Sequence, residues 1–392
     1  MKIEDIVAPE NLARAARRVR RDDQFMSGGE VARHPLYTEG ISKHELPGLC
    51  EDIRELLLAI GDGVDVDCPP VLPLRIRTRE VYAHDHTSRF MQQAVVEVLA
   101  TALDPLFCPG AHAYRRQRDR FTGLLSARRS IRRGLVHAAR VDVANFFRSI
   151  SSDQCAKALR KLGISDERII RLCIWFCTAP IWNGDPSLER RCGPILFPPG
   201  RLTPPLHALY QGSIIAPLLS NAVASVELDL PFKHATDASA KMIRYADDIL
   251  ILASDPQAAA AAFRRISSLI HTAGWSLNHD KTVEMHDLRD GPIVWLRKSI
   301  GERDVRTLPD KLEERISAFL GEPDRSPLFR TMASALVAEL FLDPLEVVQQ
   351  TIQSVTAHSP RHGRQLERSL SASSRRRRMR QIDRAISGAT GR

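Results

Sequence analysis

Apolar residues recur every three or four positions through several long stretches of the chain. This spacing keeps apolar side chains on one face of a helix, so each stretch is predicted to be helical. Asp255 and Pro256 suit the first positions of one such helix, and Gly274 suits its end. The predicted helices cover residues 1–60, 88–106, 152–163, 213–230, 255–274 and 309–357.

Shorter apolar runs predict strands. Residues 136–143 should form a strand that ends at Asp142, and residues 241–253 should form two strands around a tight turn at Asp247-Asp248. Short strands are also expected near residues 71–77. Helices combined with antiparallel strands indicate the α+β class.

The charge of the chain is concentrated in two places. The 392 residues are 43% hydrophobic and carry a net charge of +9, and this length suggests two or three packed units. Residues 113–140 carry +8 and residues 361–392 carry another +8, which leaves −7 for the rest. A solvated surface would spread its charge more evenly, so the clustered arginines indicate a nucleic-acid partner.

The remaining composition predicts a cytosolic protein with reduced thiols and no membrane partner. No apolar run reaches the roughly 18 residues of a membrane span, and the first residues lack a secretory signal. The seven cysteines are scattered, and Cys173 and Cys177 are expected to pack in a helix rather than to bind zinc. His84-Asp85-His86 resembles a metal-binding pair, but a loop or phosphate contact is favoured because no further ligand follows.

Three aspartates form the candidate catalytic centre. Asp247 and Asp248 at a hairpin tip would repel each other unless a cation neutralised them, although Asp pairs are also common in ordinary turns. If the strand that ends at Asp142 lies beside this hairpin, three carboxylates meet, and such a set suits two Mg²⁺ ions. An ordinary strand end explains each aspartate separately but not all three together.

Four ordered motifs resemble those of reverse transcriptases. Arg140-Val-Asp-Val-Ala-Asn-Phe-Phe147 resembles palm motif A, and Tyr245-Ala-Asp-Asp248 resembles the Tyr-x-Asp-Asp signature of motif C. Between them, residues 211–221 are similar to motif B of group II intron and bacterial reverse transcriptases, with Ala216 in place of the usual Ser. Residues 274–282 resemble motif D. The resemblance covers residues 88–300.

The resemblance implies a role for each motif residue at the catalytic centre. Lys281 would protonate or neutralise the departing pyrophosphate. Two Mg²⁺ ions, for which Mn²⁺ can substitute, would activate the 3′-hydroxyl and hold the triphosphate. The metal-binding residues would be Asp142, Val143, Asp247 and Asp248, and the catalytic residues Asp142, Asp247, Asp248 and Lys281.

A second set of residues would contact the nucleotide. Gln211 and Gly212 would border it, because glycine allows close approach of the backbone. Phe147 matches the steric gate whose ring collides with a ribose 2′-hydroxyl, whereas a core position is the ordinary alternative. The triphosphate would be gripped by arginines, for which the candidates are Arg89, Arg115 and Arg116, with Arg75, Arg77 and Arg79 as further choices.

The expected fold is a right-hand polymerase with fingers at 1–140, a palm of antiparallel sheet and helices at 141–300, and a helical thumb with a basic tail at 301–392. The expected enzyme is an RNA-directed DNA polymerase of the bacterial stand-alone type, with an antiviral defence role. An RNA template, which a dedicated non-coding RNA could supply, deoxynucleoside triphosphates and a DNA product are the expected partners. Homo-oligomerisation or an accessory protein stays open.

Two other functions remain open at this point. The chain could be a non-catalytic RNA-binding scaffold that retains the palm fold. It could also perform untemplated or protein-primed synthesis with the same site, in which case one of the five tyrosines would supply the hydroxyl primer; these are Tyr37, Tyr82, Tyr114, Tyr210 and Tyr245.

Overall fold

The computed structural model describes residues 1–26, 46–76, 79–183, 202–235, 239–323 and 329–371. These residues belong to two compact units, each built from two separate stretches of chain. Unit 1 contains Met1–Phe107 and Asn145–Glu227, and unit 2 contains Cys108–Ala144 and Leu228–Arg392. The expected division into fingers, palm and thumb stays a prediction.

Helices occur together with strands that pair antiparallel, which confirms the α+β prediction. The helices are α1 Ile3–Ile6, α2 Pro9–Met26, α3 Leu46–Asp62, α4 His86–Leu103, α5 Arg120–Ile131, α6 Phe146–Ser149, α7 Ser152–Lys161, α8 Glu167–Trp175, α9 Ala216–Ala224, α10 Leu230–Ala235, α11 Pro256–Thr272, α12 Pro309–Leu320, α13 Phe329–Leu340, α14 Leu345–His358 and α15 Pro360–Leu370. The strands are β1 Leu72–Ile76, β2 Arg79–Ala83, β3 His137–Asp142, β4 Ile181–Trp182, β5 Leu202–Thr203, β6 Ala240–Tyr245, β7 Asp248–Ala253, β8 Val283–Asp287, β9 Ile293–Trp295, β10 Lys298–Ile300 and β11 Val305–Thr307. Within these described residues, no helix is both long enough and apolar enough to cross a membrane.

Unit 1 is built around the buried helix α4. Asp85 caps this helix by accepting a hydrogen bond from Ser88 N at 2.6 Å, so the His84-Asp85-His86 segment leads into a helix. The antiparallel hairpin β1–β2 precedes α4. Cys173 and Cys177 are both buried, and Cys177 Sγ lies 3.8 Å from the carbonyl oxygen of Cys173, as expected for thiols that pack.

Unit 2 contains a four-stranded antiparallel sheet in the order β6–β7–β3–β8. Every residue of β7 after Asp248 is buried, as expected for an inner strand of continuous apolar sequence. Alternate residues Ala138, Leu250 and Leu252 pack with α5 in one apolar core. The same face of β3 and β7 continues through Asp142 and Asp248, because side chains alternate between the two faces of a sheet.

Two features of unit 2 differ from the sequence prediction. Strands β9, β10 and β11 form a separate antiparallel sheet that was not predicted, because three residues are too few to show a period. Helix α15 lies beyond residue 357, where the last predicted helix ends, and extends into the segment expected to be a basic tail. Its Leu366 and Leu370 are buried with Phe319 and Leu336 in a second apolar core.

A buried neutral histidine should make unit 2 sensitive to acid. Burial lowers the pKa of His112 to about 3, with further lowering by Arg118. Because the unfolded chain takes up the proton near pH 6.5 and the folded chain does not, stability should be present above that pH and be lost as the pH falls towards 3. We expect a loss of about 2–3 kcal/mol between pH 6.5 and pH 4.5 from this group.

Denaturant unfolding of His112→Gln at several pH values measures this loss. The variant should show a shallower fall in stability with acid than the unsubstituted chain. The control is His358→Gln, at an exposed position on α14. Equal slopes for His112→Gln and the unsubstituted chain would show that His112 does not cause the acid sensitivity.

Candidate active site

Two of the predicted catalytic aspartates lie directly opposite each other. The register of β3 and β7 pairs Asp142 with Asp248 at the end of the sheet. Asp142 is only 4% exposed and the Asp248 side chain 15% exposed. The sequence expectation that the strand ending at Asp142 adjoins the hairpin is therefore confirmed.

Asp247 lies in the tight turn between β6 and β7. Ala246 before it has a positive φ of 57°, which reverses the chain within two residues. Val143 N donates a hydrogen bond to the Asp247 carbonyl oxygen at 3.1 Å, which ties the turn to the end of β3. The Asp247 side chain is half-buried.

A buried ion pair supports this turn. Arg244 donates two hydrogen bonds to the Asp229 carboxylate, at 2.8 and 2.7 Å, and a third to the Ala246 carbonyl oxygen at 3.2 Å. Both side chains of the pair are 1% exposed. Removal of one partner from a buried pair costs about 3–5 kcal/mol, so the pair constrains the turn strongly.

Arg140 neutralises Asp248. Its Nε and Nη2 donate to the two carboxylate oxygens of Asp248, each at 3.0 Å, and its Nη1 donates to the Val294 carbonyl oxygen at 3.0 Å. Burial nevertheless raises the pKa of Asp248 to about 6, with Asp142 and Asp247 adding to the rise and Arg140 opposing it. Negative charge is therefore concentrated at this end of the sheet.

Lys281 neutralises Asp142 in the same way. Its Nζ lies 3.2 and 3.4 Å from the two carboxylate oxygens, and its side chain is 51% exposed. The segment before it runs along the end of β3, where Asn278 N donates to the Asp142 carbonyl oxygen at 2.8 Å. The predicted motif D lysine thus adjoins the predicted motif A aspartate.

The donors at this centre suit a hard divalent cation in their chemistry. They are carboxylate oxygens, and the charges of Asp142 and Asp247 add to the burial that raises the pKa of Asp248, so a cation would relieve their repulsion. In the described part of the chain, however, no group of three or more His, Cys, Asp or Glu side chains is arranged to hold a metal ion. Arg140 and Lys281 occupy the carboxylates instead, and the shared metal site of Asp142, Val143, Asp247 and Asp248 stays a prediction.

The predicted nucleotide-binding residues Gln211 and Gly212 lie in unit 1. Tyr82 N donates to the Gln211 carbonyl oxygen at 2.7 Å, which holds the loop against hairpin strand β2. Gly212 has a φ of +107°, and a Cβ added there would lie 2.7 Å from the Tyr82 carbonyl oxygen. Glycine is required here for both reasons.

Phe147 lies on the short helix α6 and not on the strand, and Asn145 before it has a positive φ of 49°. Its ring is half-exposed, whereas the neighbouring Phe146 is 4% exposed, and the two ring centroids lie 5.9 Å apart in an edge-to-face arrangement. Leu209 N donates to the Ile150 carbonyl oxygen at 3.1 Å, which joins the segment after Phe147 to the segment before Gln211.

The arginine candidates have different environments. Arg115 is 8% exposed, and its Nη1 donates to the carbonyl oxygens of Cys108 and Ala111 at 2.9 and 3.0 Å, so this guanidinium supports the backbone. Arg116 is exposed. Arg89 is 9% exposed within α4. Nucleotide contact by any of these three stays a prediction.

Of the further choices, Arg75 and Arg79 are exposed on hairpin β1–β2, and Arg77 lies outside the described residues.

Arg140 is a site residue that had no assigned role from the sequence. It lies two residues before Asp142, and this spacing places both on one face of β3. That spacing was the available signal. It did not identify the partner, because Asp248 is 108 residues away.

Comparison with known proteins agrees with these motifs. Residues 77–323 match the family model of reverse transcriptase (RNA-dependent DNA polymerase). Apo telomerase from Candida tropicalis is similar in structure, with a TM-score of 0.51 and 12% identity over 81% of this chain and 64% of the telomerase chain. Telomerase from Candida albicans in complex with a TWJ fragment of telomeric RNA has a TM-score of 0.49 and 10% identity over 83% of this chain and 63% of that chain. No curated protein sequence matches.

This chain thus spans less than two thirds of either telomerase chain. The likeness to the Candida tropicalis protein concerns the fold alone, and it agrees with the right-hand polymerase fold expected from the sequence.

Gly212→Ala tests the tight loop beside Tyr82. We expect a loss of about 3 kcal/mol in the free energy of unfolding, of which about 1–2 kcal/mol comes from the left-handed backbone and the rest from the contact with the Tyr82 carbonyl oxygen. The matched control is Gly163→Ala, where φ is +87° but nothing lies within 4 Å of the added Cβ. Equal losses in the two variants would show that the close approach to Tyr82 is unimportant.

Proposed function

Because the chain belongs to the reverse transcriptase family, we propose that it is an active enzyme that adds deoxynucleotides to a 3′-hydroxyl under the direction of an RNA template. The observation that carries this proposal is the pairing of Asp142 with Asp248 across β3 and β7, with Asp247 in the adjoining turn. An ordinary turn would not require a buried carboxylate on the neighbouring strand, nor the side chains of Arg140 and Lys281 that neutralise Asp248 and Asp142.

In this proposal, Asp142, Asp247, Asp248 and the backbone of Val143 hold two divalent cations, Mg²⁺ or in its place Mn²⁺. When bound, these ions lower the pKa of the attacking 3′-hydroxyl and stabilise the leaving pyrophosphate. Support comes from the all-oxygen donors and from the like charges of Asp142 and Asp247, which add to the effect of burial on the pKa of Asp248.

Lys281 then exchanges one anionic partner for another. Its Nζ lies 3.2 Å from Asp142 Oδ1. Because the Lys281 side chain is half-exposed and water screens this ion pair, breaking the pair costs little free energy. In that role the ammonium of Lys281 would contact the phosphates of the nucleotide, where it would donate a proton or neutralise charge on the departing pyrophosphate. Arg140 keeps its two hydrogen bonds to Asp248 and orients that carboxylate.

We further propose that the enzyme is of the bacterial stand-alone, group II intron-like type and acts in antiviral defence. Support comes from the Gln211-Gly212 motif B. The two arginine-rich segments suit an RNA template, including one from a dedicated non-coding RNA, because clustered arginines displace the counterions of phosphates. A cytosolic location and assembly with itself or an accessory protein remain predictions.

The two alternative functions, a non-catalytic scaffold and protein-primed synthesis, depend on different residues. A non-catalytic scaffold would not need Asp142, Asp247, Asp248 and Lys281, all of which the chain retains. Protein-primed synthesis would need an accessible tyrosine hydroxyl. Tyr82 and Tyr210 are buried, Tyr114 is 44% exposed, and Tyr37 lies outside the described residues. DNA that remains covalently attached to the protein would identify this alternative, and Tyr114→Phe would then be the first variant to test.

The double variant Asp247→Asn, Asp248→Asn separates polymerase from scaffold. We expect primer extension on an RNA template to fall by at least about 10³-fold, because several kcal/mol of metal-dependent charge stabilisation are lost. RNA affinity should stay within about threefold, since phosphate contacts by arginine are unchanged. The control for loss of negative charge is Asp310→Asn, whose side chain is 70% exposed on α12. Full extension activity in the double variant would exclude the proposed catalytic centre.

Phe147→Ala tests the steric gate. We expect the preference for deoxynucleotides over ribonucleotides, measured as the ratio of kcat/KM values, to fall by about 10- to 100-fold. Phe176→Ala is the matched control, because that ring is buried against Trp175 and its loss should affect thermal stability without affecting sugar selectivity. Unchanged selectivity in Phe147→Ala would remove this residue from the gate.

A further inference from the structure

Gln92 makes an unusual set of hydrogen bonds within unit 1. Its side chain lies on α4 and is fully buried. Its single oxygen, Oε1, accepts from Ser213 Oγ at 2.7 Å, from Ile214 N at 2.7 Å and from Ile215 N at 3.3 Å. One buried side-chain atom therefore collects three donors from a segment more than 120 residues away in the sequence.

The donors fix the orientation of this amide. Two of them are backbone N–H groups, which require an acceptor, so Oε1 and not Nε2 must face them. Ile215, which precedes α9, has an apolar side chain and supplies no cap of its own. Gln92 thus supplies, from another helix, the acceptor for the N-cap N–H that a Glu or Gln at the third helical position supplies locally in a capping box.

The loop ahead of α9 is held from two sides. Tyr82 N donates to the Gln211 carbonyl oxygen at 2.7 Å on one side, and Gln92 accepts from Ser213 on the other. Only Gly212 lies between these two anchor points. Loss of either anchor would let the backbone of Gln211 and Gly212 move, because a short loop keeps one conformation only while its ends are fixed.

We propose that Gln92 is a positioning residue that holds Gln211 and Gly212 in the conformation that receives the incoming deoxynucleotide. The proposal rests on the polymerase function proposed above, because it assigns these two residues to the nucleotide-binding site. Gln92 acts through the loop and does not itself touch the nucleotide. Its loss should therefore weaken deoxynucleotide binding more than it slows the chemical step.

The neighbouring Gln93 provides a matched control. It is also buried, at 4% exposure, and lies on the same helix. Its Nε2 donates to Glu97 Oε1 at 2.8 Å, one turn further along α4. Both residues therefore lose a buried amide on substitution, but only Gln92 is bonded to the loop before α9.

The experiment compares Gln92→Met, Gln92→Glu, Gln92→Asn and Gln93→Met in the full chain. Methionine keeps the unbranched shape without a strong acceptor, glutamate keeps an oxygen at the same reach, and asparagine draws the acceptor back by one methylene. Steady-state primer extension on an RNA template measures KM for deoxynucleotide and kcat. Thermal unfolding and template affinity are measured on the same samples.

For Gln92→Met we expect KM to rise by about 10- to 100-fold, as for a small misplacement of a binding group, and kcat to change by less than about threefold. Gln92→Glu should restore KM to within about threefold. Gln93→Met should lower the unfolding temperature without changing KM. If Gln92→Met does not fold, Gln92→Asn decides the question, with a raised KM expected from its shorter reach.

Three results would overturn the proposal. One is an equal KM in the Gln92→Met and Gln93→Met variants. Another is a fall in the active fraction or in thermal stability of Gln92→Met without a change in KM. The third, should Gln92→Met not fold, is an unchanged KM in Gln92→Asn. Absence of extension by the unsubstituted chain would instead contradict the proposed polymerase function, so the two failures are distinct.

Discussion

Repulsion between buried carboxylates is the constraint on which the candidate site depends. Asp142 and Asp248 face each other where β3 ends and β7 begins, and burial raises the pKa of Asp248 to about 6. Each carboxylate is neutralised by its own cation, Lys281 for Asp142 and Arg140 for Asp248. A fold that brings such groups together must supply positive charge, and here that charge comes from the same strand and from the segment beside it.

The register of the sheet places these two carboxylates opposite each other. A slip of one residue between β3 and β7 would turn Leu250 and Leu252 away from α5 and would put Asp142 and Asp248 on opposite faces. The apolar core under the sheet thus determines where the carboxylates lie. The buried Arg244–Asp229 pair then holds the turn that follows β6, so the packing and the ion pairs act on the same few residues.

In unit 1, hydrogen bonds hold the candidate nucleotide-binding residues in place. The loop at Gln211 and Gly212 is a tight turn closed by a hydrogen bond from Ser213 N to the Tyr210 carbonyl oxygen, and it is anchored by Tyr82 and Gln92, which lie far away in the sequence. A glycine with positive φ makes the close approach possible, and the buried amide oxygen makes the approach specific. A candidate nucleotide-binding loop is thereby held by the core of the unit as well as by its own turn.

Local sequence determined the hairpin around Asp247, the strand that ends at Asp142 and the helix that begins after Asp255, because side-chain period, turn residues and caps act within a few positions. The order of the motifs also identified the family, since residues 77–323 match its model. Shorter elements such as β9–β11 left no such signal.

Tertiary structure alone decided which polar groups are partners. Among many arginines, the sequence could not show that Arg140 binds Asp248 while Arg115 binds backbone carbonyls, nor that Gln92 rather than Gln93 holds the loop before α9. Such choices depend on distances between residues far apart in the chain. They are made only when the apolar core has brought those residues within the 3 Å or so over which a hydrogen bond forms.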